Sequence, residues 1–382
     1  MPVDISNWRE PNHNIWGFQN VSKIVQTDPI SKGPEVTTLR SESCSLEDFR
    51  LTLPDKSTLD LPSFLSQSET DGLVVLKDGA VVCEHYGRTN TETSIHALFS
   101  VSKSVIGLLC GILVEQGKLD VNNSVFSYVP EVKGSAYENV TVRQLLDMRS
   151  GVEHDDASPE YRKATGLYPL KPDEEPTDLH KYIPTIQSSP SAPGDGLDGP
   201  PFQYISPNAD LLGWVIERAG GKKLAELLSE AIWQPMGAES AAYITVDRNG
   251  NARAAAGICA SVRDIARLGQ VILDNGQGII PQRWIEDILN NGSQAAFAAG
   301  SEKKEYESIF DSVAYRSYWI VDQDSRFLMS SGTNGQLLLV DYKNRVVMAK
   351  TSSQPNRTDW QKIRLTMQAY KEIVRVLIEQ DQ

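Results

Sequence analysis

Apolar positions along the chain follow two rhythms, and the change from one to the other predicts the architecture. Near the start, residues 72–86 (GLVVLKDGAVVCEHY) hold two β-rich runs on either side of Asp78-Gly79, a pair suited to the left-handed backbone of a type I′ hairpin turn. Near the end, 336–340 (QLLLV) and 345–350 (RVVMAK) flank a polar turn, and 318–321 with 326–329 predict a further strand pair. Between them the spacing becomes helical, predicting helices over 100–117, 142–148, 208–219, 224–232, 262–273 and 284–289. A last helix is predicted over 359–379. Runs of strands kept apart from runs of helices argue for an α+β fold and against alternating βαβ units. The expected organisation is a sheet domain built from residues 1–98 and 300–382, with a mainly helical domain, 99–299, inserted between them. Within the insert, 153–200 is polar and proline-rich, and reads either as a lid over a site or as a plain surface insertion.

Composition narrows the partners. The 382 residues are 40% apolar, enough for one large core or two moderate ones. A formal net charge of −13 argues against nucleic acid or an anionic membrane surface as partner. The longest apolar stretch, 105–114, is too short to span a bilayer. The four cysteines (Cys44, Cys83, Cys110, Cys259) show neither C-x-x-C spacing nor a disulfide framework, and the five histidines show no metal-ligand spacing. No metal and no cofactor are therefore expected. The opening MPVDISNWREPNHN has no basic segment followed by an apolar one, so a reducing cytoplasm is the expected location; a secreted form stripped of its signal is the alternative.

Ser100-Val101-Ser102-Lys103 opens the first long helix. Residues three apart share a helix face, so the Ser100 hydroxyl and the Lys103 amine can meet beside the positive end of the helix. A serine needs a neighbouring base to act as nucleophile, and a desolvated lysine can be that base. By itself the motif fits an N-cap serine with a snorkelling lysine just as well. A second match, Ser301-Glu302-Lys303-Lys304, sits in a polar stretch and reads as solvated loop or frayed helix. Tyr204 precedes Ser206-Pro207, which read as the N-cap and first residue of the next helix, a place that favours a phenolate. Ser330-Ser331-Gly332-Thr333-Asn334-Gly335 precedes a strand, and its glycine would let a ligand approach the strand edge; a plain turn suits it equally.

In order, spacing and flanks these segments resemble the serine β-lactamase-related, penicillin-recognising superfamily, and within it the 6-aminohexanoate-dimer hydrolases. The resemblance runs from WREPNHNIWGF through the SVSKS helix, SVFSYVPEVKGSAY, FQYISPNADLLGWVIER and SVRDIARLG to the Gly332 strand. It implies a β-lactamase-like fold and a metal-free serine hydrolase acting on small esters or linear amides through an acyl-enzyme. Ser100 would be the nucleophile, Lys103 its base and Tyr204 the second proton-transfer group. The backbone N–H groups of Ser100 and Thr333 would bind the oxyanion, with Trp319, Gly332 and Asn334 contacting substrate. A homodimer is the implied assembly. Departures matter for the substrate. Ser330-Ser331-Gly332 replaces Lys-Thr-Gly, which removes the cation that holds a β-lactam carboxylate. Asn334 stands where a histidine is usual. Ser158, with Tyr161 close by, stands where a tyrosine assists amide cleavage. These changes predict poor β-lactamase activity and esters ahead of amides. The competing readings are a D-amino-acid peptidase or β-lactamase, and an acylatable sensor that does not turn over.

Overall fold

A computed structural model describes residues 2–42, 46–187 and 196–380; the expectation for Cys44 and part of the proline-rich segment, 188–195, lie outside the described residues. The two ends of the chain meet in one sheet. From one edge, Val313–Arg316, Trp319–Asp322, Phe327–Gly332, Gln336–Asp341 and Val346–Ser352 run antiparallel in succession. Val346–Ser352 then pairs with Thr70–Lys77, the first strand of the N-terminal hairpin, with Met348 opposite Val75. Ala80–Tyr86 follows, and a two-residue strand, Arg40–Ser41, lies parallel at the far edge. Asp78 (φ 49°) and Gly79 (φ 79°) both take left-handed backbone, as the hairpin reading requires. The α+β fold class expected from the sequence, an antiparallel sheet flanked by helices, is the one observed.

Helices cover both faces of the sheet, which is why Val346–Ser352 is buried along its whole length. Gly269 of the helix Val262–Leu273 lies against Leu338 and Val347. Asp341, three residues on and so on the opposite face, accepts a 2.7 Å hydrogen bond from Tyr370 of the helix Trp360–Gln380. Ser330 stands opposite Leu338 in register and shares a 2.7 Å hydroxyl contact with Ser104 of the helix Val101–Glu115. The Ser100 helix therefore lies on the Leu338 face.

Two features of the middle of the chain differ from the expected pattern. A second, four-stranded sheet joins Thr27–Ile30, Ala242–Thr245, Ile258–Ser261 and Ile95–Ala97; strands of three or four residues are too short to give a periodic signal. The described residues of 153–200 hold helices as well, Pro159–Ala164 and Leu179–Tyr182, anchored by buried Tyr161, Leu179 and Ile183. Proline at the first helical turn, as at Pro159, starts a helix and is easily misread as loop chemistry.

Trp319 is a correction. It was expected to line a substrate pocket, but it is 0% exposed and sits in the main core. Side chains alternate along a strand, so Trp319 and Val321 face one way and Ile320 the other. Ile320 and its cross-strand partner Met329 take the cleft position instead. Truncating a buried aromatic to alanine costs about 3–5 kcal/mol. Trp319→Ala is therefore expected to lower the denaturation midpoint strongly, and the milder Trp319→Phe to shift stability while leaving KM for small esters within about twofold. A large rise in KM at unchanged stability would return Trp319 to the pocket.

Candidate active site

The small sheet aims the chain at the site. Ile95–Ala97 ends in Leu98, whose N–H donates to the Ile258 carbonyl (3.0 Å), and Ser102 Oγ accepts the Ile258 N–H at 3.0 Å. Phe99 then takes left-handed backbone (φ 46°), an uncommon conformation for a bulky residue that its surroundings must enforce. The enforcement comes from an N-terminal aromatic cluster: the Phe18 ring meets Phe99 edge-on at 4.8 Å, Trp8 stacks at 6.3 Å, and the Arg9 guanidinium lies over the ring at 5.1 Å. The turn delivers Ser100 to the start of the helix Val101–Glu115, one turn before Lys103.

Lys103 Nζ stands 3.1 Å from Ser100 Oγ, 3.4 Å from Ser206 Oγ and 2.8 Å from the Ala255 carbonyl. The residue is 1% exposed. Burial disfavours its ammonium form and the Arg253 charge adds to the effect, so the amine is brought down to about 7. The Tyr204 ring packs 4.8 Å from the same nitrogen. Burial pushes the Tyr204 hydroxyl upward, only partly opposed by its hydrogen bond with Ser100. Tyr204 is thus a phenol at neutral pH, and the expected phenolate is not what its surroundings favour.

Several supports of this arrangement were not foreseen. Ser206 is the first helical residue of Ser206–Gly220 and not its cap. Its N–H is taken by the Asp156 carboxylate at 3.0 and 3.1 Å, and Asp156 is itself held by His154. An acceptor fifty residues upstream in a loop leaves no local cap signature. Behind Lys103, Asp210 accepts the Ala255 N–H (2.9 Å), the Tyr161 hydroxyl (2.7 Å) and the Arg253 guanidinium, which fixes the carbonyl that receives the lysine. Tyr161 is spent on that buried network, and neither Ser158 nor Tyr161 lines the cleft. Asn208, in the first turn of Ser206–Gly220, accepts the Tyr137 hydroxyl at 3.0 Å.

The third segment meets the first by backbone contact. A Cβ on Gly332 would lie 2.5 Å from the Leu98 carbonyl, so glycine is what lets the end of Phe327–Gly332 run close against the turn before Ser100. Thr333 and Ser100 thereby share one cleft. Asn334, expected to touch substrate, does not: it is 5% exposed, adopts φ 62°, donates to the Gln354 carbonyl at 2.7 Å and ties its N–H to Arg357. Asparagine tolerates left-handed backbone, which explains its presence in this turn. None of the described residues of 153–187 or 196–200 lines the cleft. Its walls come from Tyr204, Tyr306, Tyr315, Tyr318, Ile320 and Trp360, with Glu302, Arg357 and Asp359 as charged members.

The chain is similar to several known proteins. The beta-lactamase family model matches residues 66–369. Over 363 residues, 92% of this chain and 88% of the relative, the sequence is 30% identical to the 6-aminohexanoate-dimer hydrolase of Paenarthrobacter ureafaciens. Esterase EstB of Burkholderia gladioli is 28% identical over 42% of this chain and 41% of its own. A solved structure provisionally assigned as a 6-aminohexanoate-dimer hydrolase from Bacillus anthracis superposes with a TM-score of 0.86 at 24% identity, covering 99% of this chain and 97% of that one. A family VIII carboxylesterase shares the fold at a TM-score of 0.57 and 16% identity, covering 81% and 96%. This chain belongs to the beta-lactamase family, as a hydrolase of that fold with amide- and ester-cleaving relatives.

Proposed function

We propose that this hydrolase cleaves small carboxylic esters and linear amides through an acyl-enzyme on Ser100. The supporting observation is the desolvated Lys103 amine 3.1 Å from Ser100 Oγ, held from behind by the Ala255 carbonyl. In acylation Ser100 Oγ attacks the substrate carbonyl carbon and its proton passes to Lys103. The carbonyl oxygen, now an oxyanion, is received by the backbone N–H groups of Ser100 and Thr333. The bond to the leaving group then breaks as Tyr204 donates its phenolic proton to the departing alcohol or amine, and Tyr204 is reprotonated from Lys103. In deacylation a water attacks the ester carbonyl with its proton passing to the same pair, and Ser100 leaves with a proton returned. Two catalytic proton carriers with different affinities suit these tasks: an amine near 7 that takes protons, and a phenol that holds its own until a stronger base departs.

The pH dependence follows from the lysine. Only the neutral amine can take the Ser100 proton, and protonation at and below about pH 7 removes it. For a p-nitrophenyl ester, kcat/KM is expected to rise about tenfold per pH unit on the acid side and to level off above about 7. Ser100→Ala and Lys103→Ala should each lower kcat/KM by about a thousandfold or more. A flat acid limb, or substantial turnover in either variant, would contradict the assignment.

Tyr204→Phe separates the two proton carriers. A p-nitrophenolate leaves without needing a proton, whereas an amine does not. The variant should lose about 10² to 10⁴-fold on an amide and markedly less on the p-nitrophenyl ester. Equal losses on both substrates would remove Tyr204 from leaving-group protonation.

Gly332→Ala tests the oxyanion arrangement. The added methyl must push the strand away from Leu98 and so draw the Thr333 N–H from Ser100. The expected result is a fall in kcat of about 10²-fold with KM little changed in a folded protein. Unchanged kcat would exclude Thr333 from the oxyanion site.

A further inference from the structure

The turn that carries Thr333 is tied down by one buried side-chain amide. Gln336 opens the strand Gln336–Asp341, faces Gly332 as the last pair of their hairpin and is 1% exposed. Its pairing with the next strand is left to its side chain. The ladder between Gln336–Asp341 and Val346–Ser352 stops at Leu337 opposite Lys350. Beyond it, Gln336 Oε1 accepts the Ser352 N–H at 3.0 Å and Nε2 donates to the Ser352 carbonyl at 2.8 Å. That is the two-way exchange one strand residue ordinarily offers another through its backbone. Ser352 is fixed in turn, because the buried Lys350 amine donates to its hydroxyl.

The amide has a donor left over, and the turn uses it. Nε2 also lies 3.2 Å from the Thr333 carbonyl and 3.2 Å from the Asn334 carbonyl. An amide nitrogen carries two hydrogens, so one serves Ser352 and the other is shared between the two turn carbonyls. Asn334 (φ 62°) and Gly335 (φ 92°) take left-handed backbone in succession, a tight path that brings both carbonyls to one nitrogen. Peptide units are rigid planes joined by two soft dihedrals. With Gly332 paired on one side of Thr333 and the Thr333 carbonyl held on the other, the Thr333 N–H has a fixed direction.

We propose that Gln336 is a positioning residue for the oxyanion: its side-chain amide joins Ser352 to the Thr333 and Asn334 carbonyls and so keeps the Thr333 N–H turned toward the carbonyl oxygen of a substrate attacked by Ser100. Its catalytic effect rests on the acyl-enzyme reading above, whereas its hold on the turn rests on the hydrogen bonds alone. Gln336 does not line the cleft and touches no reacting atom.

Two variants test this. Gln336→Glu keeps the shape and the acceptor for the Ser352 N–H but loses both N–H donors; Gln336→Met loses every hydrogen bond. On a p-nitrophenyl ester at pH 7.5 each is expected to lower kcat about tenfold to a hundredfold with KM within about twofold. As a competitive inhibitor, 1,1,1-trifluoro-2-hexanone, whose carbonyl adds the Ser100 oxygen and becomes an oxyanion, should weaken by the same factor, while 2-hexanone should be unaffected. Unchanged kcat in folded Gln336 variants, with Gly332→Ala impaired, would overturn the role of Gln336 and leave the hydrolase reading standing. Equal weakening of both ketones, the mark of a cleft disturbed as a whole, would also overturn it. The hold on the turn is read separately from hydrogen exchange of the Asn334 amide, which donates to the Arg357 carbonyl at 2.8 Å. In both variants it should exchange about tenfold faster or more, with the Leu339 amide at the strand centre unchanged. That result supports the clamp even if no ester turns over in the wild type, a failure that would count against the hydrolase reading alone. An Asn334 amide as protected as in the wild type would overturn the proposal whatever the kinetics. So would failure of both variants to fold, since Gln336 would then hold the whole fold and not the turn.

Discussion

A single buried amine organises this molecule. Lys103 Nζ is taken out of water and given three oxygen neighbours: the Ser100 hydroxyl, the Ser206 hydroxyl and the Ala255 carbonyl. None of these carries a negative charge; burial and the Arg253 charge outweigh the opposing fields of Asp156 and Asp210, and the proton affinity falls. Each of the three neighbours is fixed by a different part of the chain. Ser100 depends on the left-handed Phe99 and the aromatic cluster that holds it. Ser206 depends on Asp156 from the proline-rich segment. Ala255 depends on Asp210 and its buried Arg253 and Tyr161 partners.

This division of labour gives each layer a purpose. The large sheet supplies a rigid floor and, through Gly332, the strand end that closes on the turn before Ser100. The small sheet sets the direction in which the chain enters the Ser100 helix. The helices between them bring Tyr204 and the lysine's hydrogen-bond partners from distant positions. An aromatic cleft then forms where the C-terminal strands, the Lys303–Tyr306 turn and the start of the last helix converge.

The sequence disclosed the parts that obey local rules. The Asp78-Gly79 hairpin, the C-terminal strands and the helix 262–273 follow from turn chemistry and apolar period, and the Ser100–Lys103 contact from helix geometry. It was silent where the determinant is remote. The short strands of the second sheet carry no period, and the Asp156 cap comes from another loop. Trp319 and Ile320 differ by one position, and only the register of the sheet decides which of them meets the cleft. Asn334 and Glu302 make the same point in opposite directions. A polar residue beside a motif turned inward to hold a backbone turn, and a glutamate in a charge-rich stretch turned into the active cleft.

The most direct measurement of the central claim is the proton affinity of Lys103 itself, read from the ε-carbon shifts of ¹³C-labelled lysine as pH is varied. Lys350 is also buried and also brought down to about 7, so the assignment requires the Lys103→Ala spectrum alongside the wild type. The structure predicts a resonance titrating near pH 7 that vanishes in Lys103→Ala. A Lys103 resonance that titrates only near the ordinary lysine value, above pH 10, would contradict it, because an amine that keeps its proton at neutral pH cannot accept one from Ser100.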